Sequence, residues 1–310
     1  MRAGKFELWE ADITPKPDEV LVKVAVCGLC NWELNHWKGI LGECPQPLGH
    51  EWSGTIVELG KDVTDFKIGD NVTGLADSLT GFSDYIVSRS NRCFKLSPDK
   101  KVEHALGEPL KCILTVLRAT APEAGEAGVI MGCGAMGLWC IQGLAGNLLS
   151  SLIAIDVDDR KLELARSFGA THTINPKKEN VKALIDQFTG GSMADFVIEG
   201  TGIPALLNES VRYLKSSGRG RLLAMSSHEA ICEEFDFREA ISRSIEIRFP
   251  HPGYSYNQIE DLRRAVLHIN RGVFKMDQII THQFPLANIQ EAFETFEKKP
   301  DGYIKGVVIP

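Results

Sequence analysis

The sequence predicts an α/β protein with two domains, one rich in β-strands and one built on a doubly wound parallel sheet. Its 310 residues exceed the usual length of a single domain. Residues 18 to 98 contain short runs such as "EVLVKVAV" and "GTIVELG" between Gly, Pro and Asp turns, which is typical of an all-β region. Residues 112 to 250 instead alternate apolar strands with amphipathic helices, a pattern that indicates a parallel sheet covered on both faces.

The elements of the middle region follow one another in a regular order. The predicted strands are "AGVIMG", "SLIAIDV", "ADFVIEG" and "GRLLAMS", and the predicted helices between them are "MGLWCIQGLAG", "DRKLELARSFG" and "PALLNESVRYLKSSG". After residue 253 we expect a helix over 257–271, the strand "QIITHQF", a helix near 288–297 and the strand "GYIKGVVIP". These last segments are expected to return to the first domain. The predicted domains are therefore 1–111 with 254–310, and 112–253.

Composition and charge exclude several classes of partner. The formal net charge is -7, and Lys and Arg form no runs, so neither nucleic acid nor an anionic membrane is an expected partner. The apolar window at 137–155 contains Gln142, Asn147, Ser150 and Ser151, which favours a helix, a turn and a strand over a membrane span. Eight cysteines and a polar beginning without a charged-then-apolar leader favour the reducing cytoplasm. A small organic molecule is the expected ligand.

A glycine motif in the middle region predicts a dinucleotide site. The segment "GCGAMG" places Gly132, Gly134 and Gly137, with Met136 among them, directly after the strand "GVIM" and at the start of a helix. The glycines could simply form a tight turn, but Asp156 ends the next strand 19 residues after Gly137. A carboxylate there accepts hydrogen bonds from ribose hydroxyls and repels a 2′-phosphate, which predicts NAD rather than NADP. Lys161 either lies along the adenosine or is a solvated helix charge.

Three side chains predict a catalytic zinc site. Cys30, His50 and Glu108 offer a thiolate, an imidazole and a carboxylate, and their wide spacing suits an open metal site. Each of them alone could be an ordinary packed residue. A closed structural site needs four ligands, and no second C-x-x-C follows "CGLC", so one zinc per chain is expected.

Taken in order, the motifs make the sequence similar to the medium-chain dehydrogenase/reductase superfamily, in its zinc-dependent alcohol and polyol dehydrogenase branch. They are "EVLVKVAVCGLC", "LGHEWSGTIVELG", "FKIGDNV", "GFSDYIV", "GEPL", "GCGAMG", "IDVDDRKLELARSFGA" and "ADFVIEGTG". The resemblance implies a GroES-like catalytic domain and a Rossmann domain. It implies that Cys30 and His50 bind zinc, that Glu51 is a ligand or a close partner, and that Glu108 is a third ligand or holds a water.

The same resemblance implies the substrate class and the assembly. Glu-Pro at 108–109 is similar to the sorbitol and threonine dehydrogenase branch, which favours a secondary alcohol or polyol. A homodimer or homotetramer is implied, joined edge to edge through the strand "SIEIRF" of the nucleotide domain.

The sequence also departs from the family at two places. Family members follow the zinc cysteine with Gly-Thr-Asp or Gly-Ser-Asp and then a histidine, whereas this chain has Asn31, Trp32, Glu33 and Asn35. The hydroxyl that normally helps to move the proton is therefore missing. The cysteine-rich structural zinc lobe is also missing, because "TGLADSLT" leads directly to "GFSDYIV" without a cysteine.

The expected reaction is zinc-assisted hydride transfer between NAD and a secondary alcohol or polyol and its ketone. Glu51 and Glu108 are the candidates for moving the proton, with His36 as a further one that could instead be an exposed loop histidine. The indole of Trp32 accepts no proton, so it either narrows the pocket and stacks on substrate or cofactor, or simply packs. Two alternatives are a zinc-free enzyme similar to quinone reductases and a catalytically silent protein that binds NAD or senses redox state.

Overall fold

The structure is a computed structural model that describes residues 4–42, 47–75, 79–216, 218–226 and 235–310. The chain divides into two compact units. The first consists of residues 1–111 and 257–310, and the second of residues 112–256. No helix in the described ranges is both long enough and apolar enough to cross a membrane.

The first unit contains most of the β-structure of the chain. Its strands are β1 (Glu19–Gly28), β2 (Glu51–Leu59), β3 (Asn71–Gly74), β4 (Tyr85–Arg89), β5 (Cys93–Lys95), β12 (Ile280–Pro285) and β13 (Lys305–Ile309). Its helices are α1 (Asn31–Trp37), α8 (Gln258–Asn270), α9 (Ile289–Lys298) and the first residues of α2 (Gly107–Thr120).

The strands of the first unit form one sheet around β1. The order is β12-β13-β1-β2-β3-β5, and β4 pairs with β1 as well. Every second residue of β1 from Val20 to Val26 is buried, because successive side chains of a strand point to opposite faces. One core lies between these strands around Trp52, and a second joins α1 and α9 to β13 around Phe293. The last strands, β12 and β13, thus belong to the same sheet as β1.

The second unit alternates strands and helices. Its strands are β6 (Ala127–Met131), β7 (Ser151–Ile155), β8 (His172–Ile174), β9 (Phe196–Glu199), β10 (Arg221–Ala224) and β11 (Glu246–Arg248). Its helices are α3 (Ala135–Leu144), α4 (Asp159–Ser167), α5 (Val181–Phe188), α6 (Pro204–Tyr213) and α7 (Phe237–Ser242). Side chains of Asp158, Asn180 and Asp236 accept backbone hydrogen bonds at the starts of α4, α5 and α7, and so define those helix ends.

The sheet of the second unit is parallel throughout. Its order β11-β10-β9-β6-β7-β8 is that of a doubly wound Rossmann sheet, and β6 and β9 are the neighbours at which the winding reverses. Ligands of such sheets bind beyond the carboxyl ends of the strands at this point, which is where the glycine segment follows β6. The predicted α/β class is confirmed.

The β-rich region from 18 to 98 contains one short α-helix among its described residues. The segment directly after Cys30 forms α1, with Cys30 as its N-cap residue. Glu33, Leu34 and Trp37 are buried on one face of this helix, which explains why the segment is not a loop. The segment "TGLADSLT" lies partly outside the described residues, at 76–78, so its expected lack of a zinc lobe stays a prediction.

Candidate functional site

The first unit places its candidate metal ligands where two paired strands meet. Cys30 follows β1, while His50 and Glu51 lie at the start of β2. The two strands are antiparallel with Gly28 opposite Glu51, so the end of one strand faces the start of the other. The strand register therefore brings together residues that are far apart in the sequence.

Three of these residues form a cluster suited to a metal ion. The ligand atoms of Cys30, His50 and Glu51 all lie within 4.8 Å of one another, the one such group found in the described part of the chain. A thiolate, an imidazole and a carboxylate are ligands that zinc accepts together.

A buried carboxylate fixes the orientation of the histidine. Glu33 Oε1 lies 2.9 Å from His50 Nδ1 and accepts a hydrogen bond of 2.8 Å from the backbone N–H of Gly49. The Glu33 side chain is fully buried, and the two contacts to Oε1 compensate part of the cost of burying it, whereas Oε2 has no hydrogen-bond partner among the described residues. With Nδ1 donating to Glu33, Nε2 is left as the nitrogen that can bind a metal.

Glu108 approaches His50 Nε2 from α2. Its Oε2 lies 3.7 Å from His50 Nε2, and its Oε1 lies 2.7 Å from Lys111 Nζ. Two ligands that share one tetrahedral zinc at about 2.0–2.1 Å each lie roughly 3.4 Å apart. The spacing of Glu108 and His50 is close to this value, but Glu108 is not one of the three residues whose ligand atoms all lie within 4.8 Å of one another, so the structure groups Glu51, and not Glu108, with Cys30 and His50.

The second carboxylate beside the cluster is paired with the last strand. Lys305 Nζ donates to Glu51 Oε2 at 2.5 Å and to the carbonyl oxygen of Leu29 at 2.7 Å. Both side chains are buried, so each charge depends on the other for compensation. Burial raises the pKa of Glu51 above its usual value, and Lys305 only partly opposes that rise.

The two acidic side chains thus differ in their electrostatics. Burial alone would raise the pKa of Glu108, but Lys111 and His50 outweigh it and hold this pKa below its usual value. Burial raises the pKa of the Cys30 thiol, which the hydrogen bond from His50 only partly opposes. Burial would lower the pKa of His50, but Glu33 and its other acidic neighbours reverse this and raise it. Glu108 is the carboxylate best held in its charged form.

The charges of the cluster fit a divalent cation. With a metal ion bound, Cys30 would be a thiolate and His50 a neutral imidazole, so four negative groups would meet here, the other three being Glu33, Glu51 and Glu108. Lys111 and Lys305 compensate two of these charges. Because buried charges are stable only when compensated, a doubly charged ion completes the balance. The residues present therefore fit zinc.

An aromatic side chain lies beside the histidine of the cluster. The ring of Trp32 meets that of His50 edge-on at 5.7 Å and that of His36 at 4.4 Å, and Trp32 is 39% exposed. His36 touches this group through the indole, and its buried Nδ1 has no hydrogen-bond partner among the described residues. Trp32 is therefore a partly exposed neighbour of both histidines.

The second unit forms the glycine loop that the motif predicts. The loop connects β6 to α3, and Gly132 has φ = 90°, a backbone conformation that side chains disfavour. A Cβ on Gly137 would lie 1.9 Å from the carbonyl oxygen of Gly132, so this glycine allows the helix to pack closely. A Cβ on Gly134, in contrast, would meet no protein atom within 4 Å. Packing gives no reason for Gly134, whereas a ligand approaching the backbone does.

Asp156 is attached to this loop. Its carboxylate accepts hydrogen bonds from the backbone N–H of Cys133, at 2.7 Å, and of Asp158, at 2.9 Å. The carboxylate is thus fixed at the end of β7, next to the glycine loop, with lone pairs left for a further donor. Met136 is the second residue of α3, and Lys161, on α4, is near enough to Cys133 to act on the pKa of its thiol.

Sequence reasoning missed the roles of three residues that contact the candidate ligands: Glu33, Lys111 and Lys305. A helical pattern could have indicated Lys111, which lies one turn after Glu108 on α2. No sequence signal indicates Lys305, because it lies 254 residues after its partner Glu51. Glu33 was noted only as a departure from the family motif, although it forms the hydrogen bond to His50.

Comparisons with known proteins agree with both units. Residues 16–98 match the family model of the alcohol dehydrogenase GroES-like domain, and residues 135–268 match that of the zinc-binding dehydrogenases. Together they support a GroES-like first part and a dehydrogenase nucleotide domain, as the resemblance implied.

Similar proteins extend this agreement along almost the whole chain. L-threonine 3-dehydrogenase of Bacillus velezensis is 28% identical over 94% of this chain and 92% of its own. (R,R)-butanediol dehydrogenase of Bacillus subtilis is 27% identical over 92% of this chain and 90% of its own. The crystal structure of 2R,3R-butanediol dehydrogenase from Bacillus subtilis has the same fold, with a TM-score of 0.83 at 23% identity, over 98% of this chain and 95% of that one. This chain belongs to the zinc-dependent alcohol and polyol dehydrogenase branch of the medium-chain dehydrogenase/reductase superfamily.

Proposed function

We propose that this protein is an NAD-dependent zinc enzyme that transfers hydride between NAD and a secondary alcohol or polyol and its ketone. The observation that carries the proposal is the cluster of Cys30, His50 and Glu51, in which Glu33 fixes the histidine. An oxidoreductase is supported by relatives named threonine, butanediol and sorbitol dehydrogenases. The choice of a secondary alcohol rests on those names and on Glu-Pro at 108–109.

Cys30 and His50 are the proposed zinc ligands, with Glu51 or Glu108 as the third. A zinc ion at such a site polarises the oxygen of an alcohol or ketone. Glu108, which its neighbours keep charged, is proposed to receive the proton of the alcohol through water. Glu51 is the alternative acceptor, and Lys305 holds it in place.

A nicotinamide cofactor is supported by the family, and we propose that it is NAD. The backbone around Gly132, Gly134 and Gly137 is proposed to hold the pyrophosphate, with Met136 in the first turn of α3 beside it. Asp156 is proposed to accept hydrogen bonds from the ribose hydroxyls. Lys161 is proposed to lie along the adenosine.

Trp32 is proposed to restrict the approach to the metal. Its ring meets that of His50 edge-on, and a flat apolar surface there favours small or flat substrates over branched ones. We propose that His36 packs against this ring and supports it, and that it contributes little to proton movement. Replacing Trp32 with Ala should lower KM for bulky secondary alcohols, whereas Phe should retain the wild-type preference.

We also propose a homodimer or homotetramer formed through β11. This strand is at the edge of its sheet, and two large apolar side chains near it, Ile247 and Phe249, are 36% and 66% exposed. The sequence arguments above support four further proposals. The domains are 1–111 with 254–310, and 112–253. Each chain binds one zinc, the protein is located in a reducing cytoplasm, and neither nucleic acid nor a membrane is a partner.

The test is NADH formation by zinc-loaded protein over a panel of secondary alcohols, polyols and amino alcohols. We expect turnover with at least one secondary alcohol, loss of turnover after zinc removal and recovery after zinc is returned. Turnover of quinones that survives zinc removal would instead identify the zinc-free alternative. NAD binding without turnover of any substrate would identify the catalytically silent one.

A further inference from the structure

A lysine on α2 holds one of the two carboxylates beside the metal cluster. Lys111 Nζ lies 2.7 Å from Glu108 Oε1, and the lysine side chain is only 5% exposed. The two residues are three positions apart on the helix, so their side chains share one face. A lysine is rarely buried this deeply unless its charge is compensated, and Glu108 provides that compensation.

Lys111 is itself anchored from a second helix. Its Nζ donates a hydrogen bond of 3.0 Å to Oε1 of Gln258, the first residue of α8. The start of α8 is fixed in turn, because the side chain of Asn257 accepts hydrogen bonds from the backbone N–H groups of Ile259 and Glu260. The ammonium group is therefore attached both to its own helix and to the beginning of another.

The consequence for Glu108 is that its two oxygens face different partners. Oε1 is directed to Lys111, and Oε2 lies 3.7 Å from His50 Nε2, the ring nitrogen that does not face Glu33. A carboxylate held in this way offers a metal one oxygen and not two. A free carboxylate beside a divalent cation can bind through both oxygens, and it then takes a position that a substrate would need.

We propose that Lys111 is a positioning residue that restricts Glu108 to binding the metal through a single oxygen and so keeps a coordination position open for substrate. Lys111 acts through Glu108 and touches neither substrate nor cofactor in this proposal. The proposal rests on the zinc site of the proposed function and adds the residue that determines how one of its carboxylates binds.

Cobalt(II) provides a direct test, because its visible absorption is much stronger in four-coordinate than in five-coordinate sites. Wild-type protein, Lys111→Met, Lys111→Arg and Gln258→Leu are freed of metal and titrated with Co²⁺ alone. We expect the strong four-coordinate spectrum in the wild type and a weak five-coordinate one in Lys111→Met. Lys111→Arg should restore most of the strong spectrum, and Gln258→Leu should fall between wild type and Lys111→Met.

A kinetic measurement accompanies the spectra. With zinc bound, Lys111→Met should raise KM for the alcohol roughly tenfold, which corresponds to about 1.4 kcal/mol of binding free energy. KM for NAD should stay unchanged, because the second Glu108 oxygen competes with the alcohol only. Lys215→Met is the matched control. It removes a partly buried lysine from its pair with Asp195 in the second unit and should change stability but neither the spectrum nor the KM.

The outcomes separate the two proposals. A wild-type protein that gives no cobalt spectrum would overturn the proposed zinc function itself. A normal wild-type spectrum with an identical one in Lys111→Met would overturn the role of Lys111 alone. Complete loss of cobalt from Lys111→Met, with a normal thermal unfolding temperature, would also overturn it, because Lys111 would then be needed to assemble the site and not to select one oxygen.

Discussion

Glu33 lies on α1 and His50 lies directly before β2, yet Glu33 Oε1 lies 2.9 Å from His50 Nδ1, and the side chain of Glu33 is fully buried. This contact determines which histidine nitrogen is free for a metal. It also explains how α1, a helix of seven residues, contributes to the cluster beyond its N-cap residue Cys30.

Glu33→Gln is expected to weaken zinc binding about 10- to 100-fold, the usual effect of removing a carboxylate that orients a metal-binding histidine. The neutral glutamine amide does not stabilise the Nδ1–H group of His50 as the Glu33 carboxylate does. Competition with a chromogenic chelator measures the affinity. Glu58→Gln, an exposed change on β2, is the control and should leave the affinity unchanged. Equal affinities in wild type and Glu33→Gln would show that His50 needs no such partner.

Glu108→Gln is expected to reduce turnover on the order of a hundredfold or more, since a positioned acid or base typically contributes that much. NAD affinity should remain near the wild-type value, and His36→Gln should have a much smaller effect. The pH profile of turnover in both variants, with a zinc assay beside it, separates a role in proton movement from one in metal binding. A Glu108→Gln protein that keeps both its zinc and the wild-type turnover would contradict this account of the proton route. A His36→Gln protein with strongly reduced turnover would contradict it as well.

Asp156→Asn is expected to reduce the preference for NAD over NADP. Loss of the negative charge removes the repulsion of a 2′-phosphate and weakens the hydrogen bonds to the ribose hydroxyls. Together these two effects should lower the ratio of NAD affinity to NADP affinity roughly tenfold. Dissociation constants for both cofactors, measured by quenching of protein fluorescence, provide the comparison. The asparagine oxygen can still accept from the N–H of Cys133, so the loop should stay folded. A wild-type protein that binds NADP as well as NAD would refute the assignment to Asp156.

Lys305→Met is expected to destabilise the metal-free protein by about 3 kcal/mol, because breaking a buried ion pair leaves an uncompensated charge. Glu51 already has a raised pKa and can take up a proton, which places the loss at the lower end of the usual range. Urea unfolding of Glu51→Gln, Lys305→Met and the double variant forms a double-mutant cycle. The double variant should lose less than the two single variants together. Strictly additive losses would mean that the 2.5 Å contact does not couple the two residues.

Ile247→Lys is expected to convert the proposed oligomer to smaller species. A lysine on an exposed sheet edge opposes strand pairing between chains. Light scattering at micromolar concentration gives the mass, and Leu148→Lys, at another exposed apolar position of the same unit, is the control. A wild-type monomer, or equal masses for all three proteins, would remove β11 as the interface.

Local sequence patterns were sufficient for most of the fold and for the nucleotide loop. In β6, β7, β9 and β10 of the second unit every residue is buried, and each of these strands is a short, mainly apolar run. Such a run can be recognised as a strand from its own sequence. Gly132, Gly134 and Gly137 lie within one loop and one helix turn, so their spacing in the sequence reflects their spacing in space. The same holds for Glu108 and Lys111, although that pair was overlooked.

The sequence by itself determined the α/β architecture and the glycine loop, and it predicted Cys30, His50 and Glu108 as site residues, because these depend on local periodicity and on side-chain chemistry. Glu51 was expected at the site only from the resemblance to the family. Only the tertiary structure decided which partners fix those residues. Lys305 reaches Glu51 through the pairing of β13 with β1, and Glu33 reaches His50 because α1 buries one face. Contacts of this kind depend on strand register and on packing between distant segments, and compensation of a buried charge leaves no periodic signal in a sequence.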